Sequence, residues 1–194
     1  MLAFFIPFVV YIITMPNGLT RAHYGADGGE LIVAAVTLGI PHPPGYPTYV
    51  VLGKLFSLLP IGSVASRFSL FSITAVSLTA ALITLINNQP KRWTAVLPAL
   101  IFAFTAPVWA QAIIAEVYGL NLLMIALFLW AVHKKRPFFI GLFLGLSITT
   151  HLTSLFLLPL AIMGVYGSES RPAGAALRGV CVGLSPLLLL PLLA

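Results

Sequence analysis

Apolar runs separated by short polar or basic segments follow one another along the whole chain. A helix rises about 1.5 Å per residue, so about 20 residues are needed to cross about 30 Å of hydrocarbon. The pattern predicts an all-α integral membrane protein with about seven transmembrane helices and two shorter helices. The runs cover residues 2–15, 31–40, 46–59, 64–86, 93–110, 117–132, 137–149, 152–165 and 179–194.

The second and third runs are predicted to lie in the membrane interface rather than to cross the bilayer. The run 31–40 is too short, and the run 46–59 would reach only about 21 Å as a helix. Crossing would also place Lys54 near mid-membrane, at a cost of about 2.5–3.5 kcal/mol. We therefore expect a single membrane domain over 1–194. It has a first span at 1–16, an external loop with two interfacial helices at 17–63 and about six further spans at 64–194.

The composition agrees with a membrane location. Of 194 residues, 60% are hydrophobic and 7% are charged, and the mean hydropathy is +1.07. Water-soluble domains usually have about 25% charged residues. The opening run lacks a basic n-region and a small-residue cleavage site, which favours a retained span over a signal peptide. Cys181 is the one cysteine of the sequence, so no disulfide can form within the chain.

The basic residues predict the orientation of the chain. They cluster at 91–92, 133–136 and 171–178, and cytoplasmic loops of membrane proteins are enriched in Lys and Arg. If 46–59 does not cross, all three clusters fall on the cytoplasmic side and the loop 17–63 lies outside. Counting 46–59 as a span would place the clusters outside, or would carry the acids of that loop into the cytoplasm. The net charge of +6 resides in these short clusters, and no nucleic-acid partner is predicted.

This topology places the reactive side chains on the outer side. They are Asp27, Glu30, His42, Glu116 and His151. Asp27 can cap the helix that follows it, and Glu30 is favourable in the first helical turn. Alternatively, this i, i+3 pair of carboxylates binds a divalent cation, or it supplies a general base and its orienting partner.

The motif His42-Pro43-Pro44-Gly45 is predicted to form a rigid elbow between the two interfacial helices. Two prolines fix successive φ angles, and the glycine lets the chain turn. Two interpretations are open. The elbow has a structural role alone, or it also holds His42 in place as a hydrogen-bond donor to a phosphate or a sugar.

Four further side chains have both a structural and a functional interpretation. Lys54 and Arg67 snorkel to lipid headgroups, or they neutralise a lipid-linked phosphate. Glu116 hydrates the outer end of a helix, or it contacts a substrate. His151 forms an interhelical hydrogen bond, or it contacts a substrate. The residues alone leave these alternatives open.

Sequence motifs over nearly the whole chain carry a resemblance to a known family. The motifs are Asp27-Gly28-Gly29-Glu30, residues 38–47 around the proline pair, Ala65-Ser66-Arg67-Phe68, Glu116-Val117-Tyr118 with Asn121, and His151 before a leucine-rich run to Pro159. They resemble the membrane glycosyltransferase family that contains the animal O-mannosyltransferase acting on IPT domains and its bacterial relatives. More distantly, the chain is similar to the N-terminal module of C-type glycosyltransferases.

The resemblance implies a glycosyltransferase whose sugar donor is carried on a polyprenyl phosphate. The sugar, for which mannose is the expectation, would pass to a hydroxyl of a protein or glycan acceptor at the extracytoplasmic face. The implied location is a bacterial inner membrane. The implied partners are membrane lipids, the lipid-linked donor, the acceptor and other membrane subunits.

The resemblance also implies roles for the candidate residues. Asp27 would be the general base that takes the proton of the acceptor hydroxyl. Glu30 would orient the acceptor, hold Asp27 or help to bind a divalent cation, which is the one cofactor considered. Glu116 would be a second acidic contact across the cavity. The donor contacts would be His42, Lys54, Arg67 and His151.

Complete members of that family are longer than this chain. A second hypothesis is therefore an inactive or truncated homologue that acts as a structural or assembly subunit of a membrane complex. A transporter of lipid-linked sugars is a third, but it would more naturally show inverted repeats, and the sequence shows no such symmetry.

Overall fold

In the computed structural model, residues 1–20, 26–87, 93–167 and 173–189 are described, and their regular elements are all helices. The all-α class predicted from the pattern of apolar runs is thus confirmed for these residues. Two of the basic clusters, at 91–92 and at the start of 171–178, fall outside them. The helices are α1 Leu2–Thr14, α2 Gly28–Thr37, α3 Pro47–Ser57, α4 Val64–Ile86, α5 Trp93–Ala103, α6 Ala106–Ala112, α7 Val117–His133, α8 Pro137–Thr150, a 3₁₀ helix Leu152–Leu157, α9 Leu158–Tyr166, α10 Ala173–Leu184 and a 3₁₀ helix Ser185–Leu189.

One helix in the described ranges, Val64–Ile86, is long and apolar enough to cross a membrane. It begins where the Ser63 hydroxyl accepts a hydrogen bond from the backbone N–H of Ser66, a normal N-cap. The other apolar helices have 10–17 residues. Helix α3 has 11 residues, equivalent to about 16 Å, which is too short to cross a bilayer. The number of spans and the interfacial position of α2 and α3 therefore stay predictions.

The run 93–110, predicted as one span, forms two helices, α5 and α6, which together are long and apolar enough for one broken span or a re-entrant loop. The segments Thr94–Ala103 and Ala106–Ala112 meet at an angle of 71°. Pro107 lies in the first turn of α6, where it cannot supply the N–H that would bond the carbonyl of Ala103, so a continuous helix is disfavoured. Thr105 between them has extended backbone and starts the new helix.

Two helix ends define two ends of the bundle. Helix α7 begins directly after Glu116 and ends at His133, about 25 Å away. Helix α8 begins after the exposed basic cluster 133–136 and returns to His151. The acid and the histidine therefore share one end, and this basic cluster lies at the other, which agrees with the opposite sides predicted from charge.

Three apolar clusters pack the helices together. The cluster nearest the candidate residues joins α2, α3, the start of α4 and the start of α7, around Tyr49 and Phe68. A second joins α1 with α4, α5 and α6. The third joins the end of α7 with α8, α9 and α10. The first cluster fixes α2 and α3 against the longer helices, so the loop that carries the acids has a defined position.

Helices α8 and α10 run parallel and approach backbone to backbone through glycines. A Cβ atom on Gly179 would overlap the carbonyl of Phe138, and one on Gly145 would lie 2.7 Å from the carbonyl carbon of Gly183. This is the close packing of small residues that membrane helices use where lipid supplies no hydrophobic driving force. No side chain larger than hydrogen fits there unless the helices move apart.

We expect Gly179→Ala to lower the free energy of unfolding of the purified chain in detergent by about 1–3 kcal/mol, and with it the Tm, because the added methyl meets backbone rather than a movable side chain. Gly174→Ala in the same helix is the matched control, since a Cβ there meets nothing within 4 Å. Its Tm should be unchanged or slightly higher, as alanine is the better helix former. Equal Tm values for the two variants would contradict this packing.

Candidate functional site

The N-terminus of α2 and the proline elbow bring three of the predicted site residues together. The ligand atoms of Asp27, Glu30 and His42 lie within 4.8 Å of one another. Although 12 residues separate Glu30 from His42, the elbow folds back so that their side chains touch. We refer to Asp27, Glu30, His42 and the neighbouring Glu116 as the acid–histidine cluster.

Asp27 occupies the N-cap position of α2 without acting as a cap. Within the described residues its side chain makes no capping hydrogen bond, and the carboxylate is about half exposed, at 52%. Nε2 of His42 lies 3.9 Å from Oδ2 of Asp27. Of the two interpretations that the sequence left open, the structure thus disfavours the helix cap, and the carboxylate is accessible to a ligand.

Glu30 holds His42 by two hydrogen bonds. The backbone N–H of His42 donates to Oε1 at 2.6 Å, and Nδ1 of the ring lies 3.0 Å from Oε2. The hydrogen bonds from His42 lower the pKa of Glu30, and the bond to Glu30 raises the pKa of His42. Glu30 is therefore a positioning residue for the imidazole, a role for which the sequence carried no signal.

The proline elbow turns the chain at Gly45 and at the residue after it. The Pro43–Pro44 peptide bond is cis, and Gly45 has φ of 91°, a value that favours glycine. Tyr46 follows with φ of 43°, and its hydroxyl lies 2.9 Å from Nε2 of His42. Both ring nitrogens of His42 are thus engaged, one by Glu30 and the other by Tyr46.

Glu116 lies behind Asp27 and is 2% exposed. Its Oε1 has no hydrogen-bond partner among the described residues. Burial, followed by the charge of Asp27, raises the pKa of Glu116 to about 7, against the opposing effect of nearby backbone N–H groups. The sequence suggested that Glu116 hydrates a helix end or contacts a substrate, but hydration is excluded by this burial.

A glycine permits the close approach of α2 to the segment before α7. A Cβ on Gly28 would lie 2.9 Å from the carbonyl oxygen of Ala115. Since Gly28 follows Asp27 and Ala115 precedes Glu116, this contact places the two acids side by side. The Asp-Gly-Gly-Glu motif thus uses its first glycine for packing.

His151 lies at the aromatic edge of the cluster. Its ring stacks on Tyr46 with centroids 6.1 Å apart, and the ring of Tyr118 lies 5.4 Å away. Its Nδ1 accepts from the backbone N–H of Thr153 at 3.3 Å and lies 2.8 Å from the Thr153 hydroxyl. Burial lowers the pKa of His151. His151 therefore caps its own 3₁₀ helix, and among the described residues its hydrogen bonds are to Thr153 rather than to a second helix.

A groove opens beside this aromatic edge. It has a volume of about 430 Å³, and Tyr118 forms one of its walls next to His151. Most of its lining residues are apolar. The amide side chains of Gln111 and Asn121 supply polar groups. The lining residues are Pro107, Val108, Gln111, Tyr118, Asn121 and Leu122.

Lys54 and Arg67 direct their charges at backbone carbonyls. The ammonium of Lys54 donates to the carbonyl of Val36, in the last turn of α2 and at the opposite end of that helix from Asp27. The guanidinium of Arg67 donates to the carbonyl of Ser57 at the end of α3 and to two carbonyls of the loop that follows. Both thus have structural roles, and the structure does not bring them into the acid–histidine cluster.

Sequence reasoning missed Tyr46 and Tyr118. Both lie inside motifs that were recognised, the first directly after the proline elbow and the second two residues after Glu116. A tyrosine in an apolar run is usually interpreted as packing or as an interface anchor, so a role in the site was not evident. The signal that could have found them is their position directly beside the polar motifs.

The cluster has the ligand types of a divalent cation site. Asp27, Glu30 and His42 could each offer one ligand atom, from two carboxylates and an imidazole. In the geometry described above, the carboxylate of Glu30 and the ring of His42 bond to each other. A cation would have to replace that hydrogen bond.

Comparison with known proteins gives a family match over most of the chain. The family model described as "Protein O-mannosyl-transferase TMEM260 N-terminal domain" matches residues 27–173. This range starts at Asp27 and includes every candidate site residue named above. No solved structure shows a significant match to this chain.

Two curated relatives share substantial identity. A protein O-mannosyl-transferase TMEM260 of Mus musculus is 38% identical over 121 residues, which are 61% of this chain and 17% of the relative. One of Dictyostelium discoideum is 36% identical over 114 residues, which are 55% of this chain and 14% of the relative. The chain thus spans less than a fifth of the length of these relatives. Both are eukaryotic, so they give no support to a bacterial inner membrane.

Proposed function

Because this chain belongs to the family of the protein O-mannosyl-transferase TMEM260 N-terminal domain, we propose that it transfers a sugar, with mannose as the expectation, from a polyprenyl-phosphate donor to an acceptor hydroxyl. The acceptor is a protein or a glycan. The reaction takes place at the extracytoplasmic face of a multi-pass membrane protein with about seven spans, in a C-type arrangement. The names of the relatives state the activity of those proteins. The donor, the site and the topology are our proposal for this chain.

The observation that carries the proposal is the exposed carboxylate of Asp27 at the acid–histidine cluster. It is free of a capping role and lies beside a histidine that Glu30 holds by two hydrogen bonds. A general base must be within reach of the hydroxyl whose proton it takes. Asp27 is exposed and lies at the N-terminus of α2, where a negative charge is favourable.

The proposed reaction is a substitution at the anomeric carbon of the donor. Asp27 takes the proton from the acceptor hydroxyl, and the oxygen forms a bond to the anomeric carbon. The bond from that carbon to the phosphate oxygen breaks, and its electron pair leaves with the polyprenyl phosphate. The leaving group is a good one, so it needs little acid catalysis and more stabilisation of charge.

The position of the acid–histidine cluster in the helix bundle supports a reaction at the extracytoplasmic face. The cluster lies at the end of the bundle where α7 begins and α8 ends, and the exposed basic residues 133–136 lie at the other end. Lys and Arg are enriched in cytoplasmic loops. The acids and His42 therefore face away from the cytoplasm in this proposal.

The experiment is a transfer assay with the purified chain reconstituted in nanodiscs. Polyprenyl-phosphate mannose and a nucleotide-linked mannose, each labelled in the sugar, are offered separately with a pool of serine- and threonine-containing peptides. We expect label in peptide from the lipid-linked donor and none from the nucleotide sugar. Equal transfer from both donors, or no transfer by folded protein from the lipid donor, would reject the proposal. In the second case, stoichiometric recovery with a larger membrane complex would favour the structural-subunit hypothesis.

A further inference from the structure

Asn121 presents the NH₂ group of its side chain to the groove between α6 and α7. The residue is 7% exposed, and its Oδ1 accepts a hydrogen bond from the Ser154 hydroxyl at 2.9 Å. Ser154 is buried and is not part of the groove lining, so the amide oxygen points into the protein. This bond orients the side chain, and the NH₂ group is the end that remains for the groove.

The NH₂ group of Asn121 is accessible. Within the described residues Nδ2 makes no hydrogen bond, and it is not one of the side-chain atoms that are buried without a partner. Since Asn121 lines the groove, the small surface that it exposes lies there. The groove therefore contains a fixed N–H donor that is available to a bound molecule.

The other surfaces of the groove are mainly apolar. Pro107 and Val108 come from α6, and Tyr118 and Leu122 lie beside Asn121 on one face of α7, where residues three and four positions apart are neighbours. No charged side chain of the described residues lines the groove. It is thus suited to an uncharged ligand that has an acceptor oxygen and apolar groups next to it.

A row of four rings joins the groove to the acid–histidine cluster. The rings of Tyr118, His151, Tyr46 and His42 have successive centroids 5.4, 6.1 and 5.2 Å apart. The row therefore spans no more than about 17 Å, which about five residues of extended peptide cover at about 3.3 Å per residue. A short extended chain that lies in the groove can thus reach Asp27.

The proposed reaction involves a lipid tail, a phosphate and an acceptor, and the groove distinguishes among them. An isoprenoid tail has no oxygen to accept from Asn121, so it would leave a desolvated donor without a partner. A phosphate would find no cation in the lining, and the carboxylates of Asp27 and Glu30 lie beyond it. A peptide is neutral along its backbone and offers both carbonyl oxygens and apolar side chains.

Resting on the proposed function, we propose that the groove between α6 and α7 is the acceptor subsite and that it binds an extended peptide. Nδ2 of Asn121 donates a hydrogen bond to one backbone carbonyl of this peptide. The apolar side chains of the peptide pack on the walls of the groove, and its reacting hydroxyl lies at Asp27. Ser154 is a positioning residue that orients the amide. The acceptor is thus a protein segment with apolar residues near its hydroxyl.

The test combines Asn121→Leu with Ser154→Ala. The double substitution removes the N–H donor and leaves neither residue with an unpaired buried partner, so the fold should be kept and the Tm should stay near that of the wild type. The probe is a five-residue peptide with blocked ends, a central threonine and apolar neighbours. Its dissociation constant is measured by calorimetry on the chain in nanodiscs. We expect a value about 3- to 10-fold higher for the double variant than for the wild type.

Asn87→Leu is the matched control, because it makes the same replacement at an exposed asparagine after α4 that does not line the groove. Its dissociation constant for the peptide should equal that of the wild type. A loss of the same size in this control would overturn the proposal.

A set of modified peptides locates the hydrogen bond. In each one, a single peptide bond is replaced by an (E)-alkene, which keeps the shape of the chain and removes the carbonyl. The wild type should bind one of these about 3- to 10-fold more weakly than the parent, and the double variant should bind both equally. The absence of peptide binding by the wild type would overturn the proposal. So would equal binding of the parent by wild type and double variant, or equal losses in both proteins with every alkene peptide.

Binding of farnesyl phosphate tests the lipid alternative. If the double substitution weakens binding of this lipid and not of the peptide, the groove belongs to the donor and the acceptor proposal is overturned. The dissociation constants are measured without a sugar donor, so they decide the groove whether or not transfer occurs. Absence of transfer by the wild type would reject the proposed function alone.

Discussion

Replacing Asp27 with asparagine will lower the rate of sugar transfer by at least about 100-fold while the chain stays folded. Asparagine has the shape of aspartate but cannot take a proton, and a positioned general base contributes about 10²- to 10⁴-fold. The carboxylate makes no capping hydrogen bond, so folding depends little on it. Loss of its charge at a helix N-terminus should cost only about 0.3–1 kcal/mol.

The measurement is single-turnover transfer from lipid-linked mannose, with the Tm recorded on the same preparation. Glu169→Gln is the matched control, because it also replaces a carboxylate by an amide and its position in the sequence predicts the opposite side of the membrane. This variant should transfer at the wild-type rate. Transfer by Asp27→Asn within about tenfold of the wild type would assign the base to another residue.

The second large effect concerns the buried Glu116. Its pKa rises from 4.5 to about 7 in the folded chain, so the native state holds a proton that the unfolded state releases between these pH values. Stability is therefore highest below pH 4.5 and is lost as the pH rises through about 7, by up to roughly 3 kcal/mol. We expect Glu116→Gln, which mimics the protonated acid, to remove this loss.

The experiment compares the Tm of the wild type and of Glu116→Gln in the same detergent at pH 4 and at pH 8. At pH 4 this position is largely neutral in both the folded and the unfolded states of the two proteins, and their Tm values should agree. At pH 8 the glutamine variant should be more stable. A glutamine variant that is less stable than the wild type at pH 8 would mean that the carboxylate is paired when ionised, contrary to its unpartnered Oε1.

Part of the site could be predicted from the sequence because its residues are close along the chain. Asp27 and Glu30 are three residues apart on one helix, and the two prolines after His42 restrict the path of the chain, so an elbow near the acids was foreseeable. The structure then showed that Glu30 bonds to His42, because the elbow reverses the chain over 12 residues. The partner of a carboxylate across such a turn is not encoded in local spacing.

Lys54 and Arg67 illustrate the opposite case. Scarce cations in an apolar chain are typical of phosphate contacts or of side chains that reach lipid headgroups. Each instead donates to backbone carbonyls at a helix end or in the loop that follows. These carbonyls lack a partner within the helix, and which carbonyls they are depends on where the helices end. The break in 93–110 is similar, since a proline in an apolar run is compatible with both a kinked span and two helices.

Local sequence is enough to predict the helical class, the family, the low charge that suits a bilayer, and a polar segment that holds Asp27, Glu30 and the proline elbow. Periodicity, composition and nearby motifs suffice for these, because each depends on residues that are neighbours along the chain. The exposure of Asp27, the burial of Glu116 behind it and the contact of the Tyr46 hydroxyl with His42 follow from the folded arrangement alone. These properties depend on burial and on contacts between distant segments, such as Gly28 against Ala115, which no local pattern records.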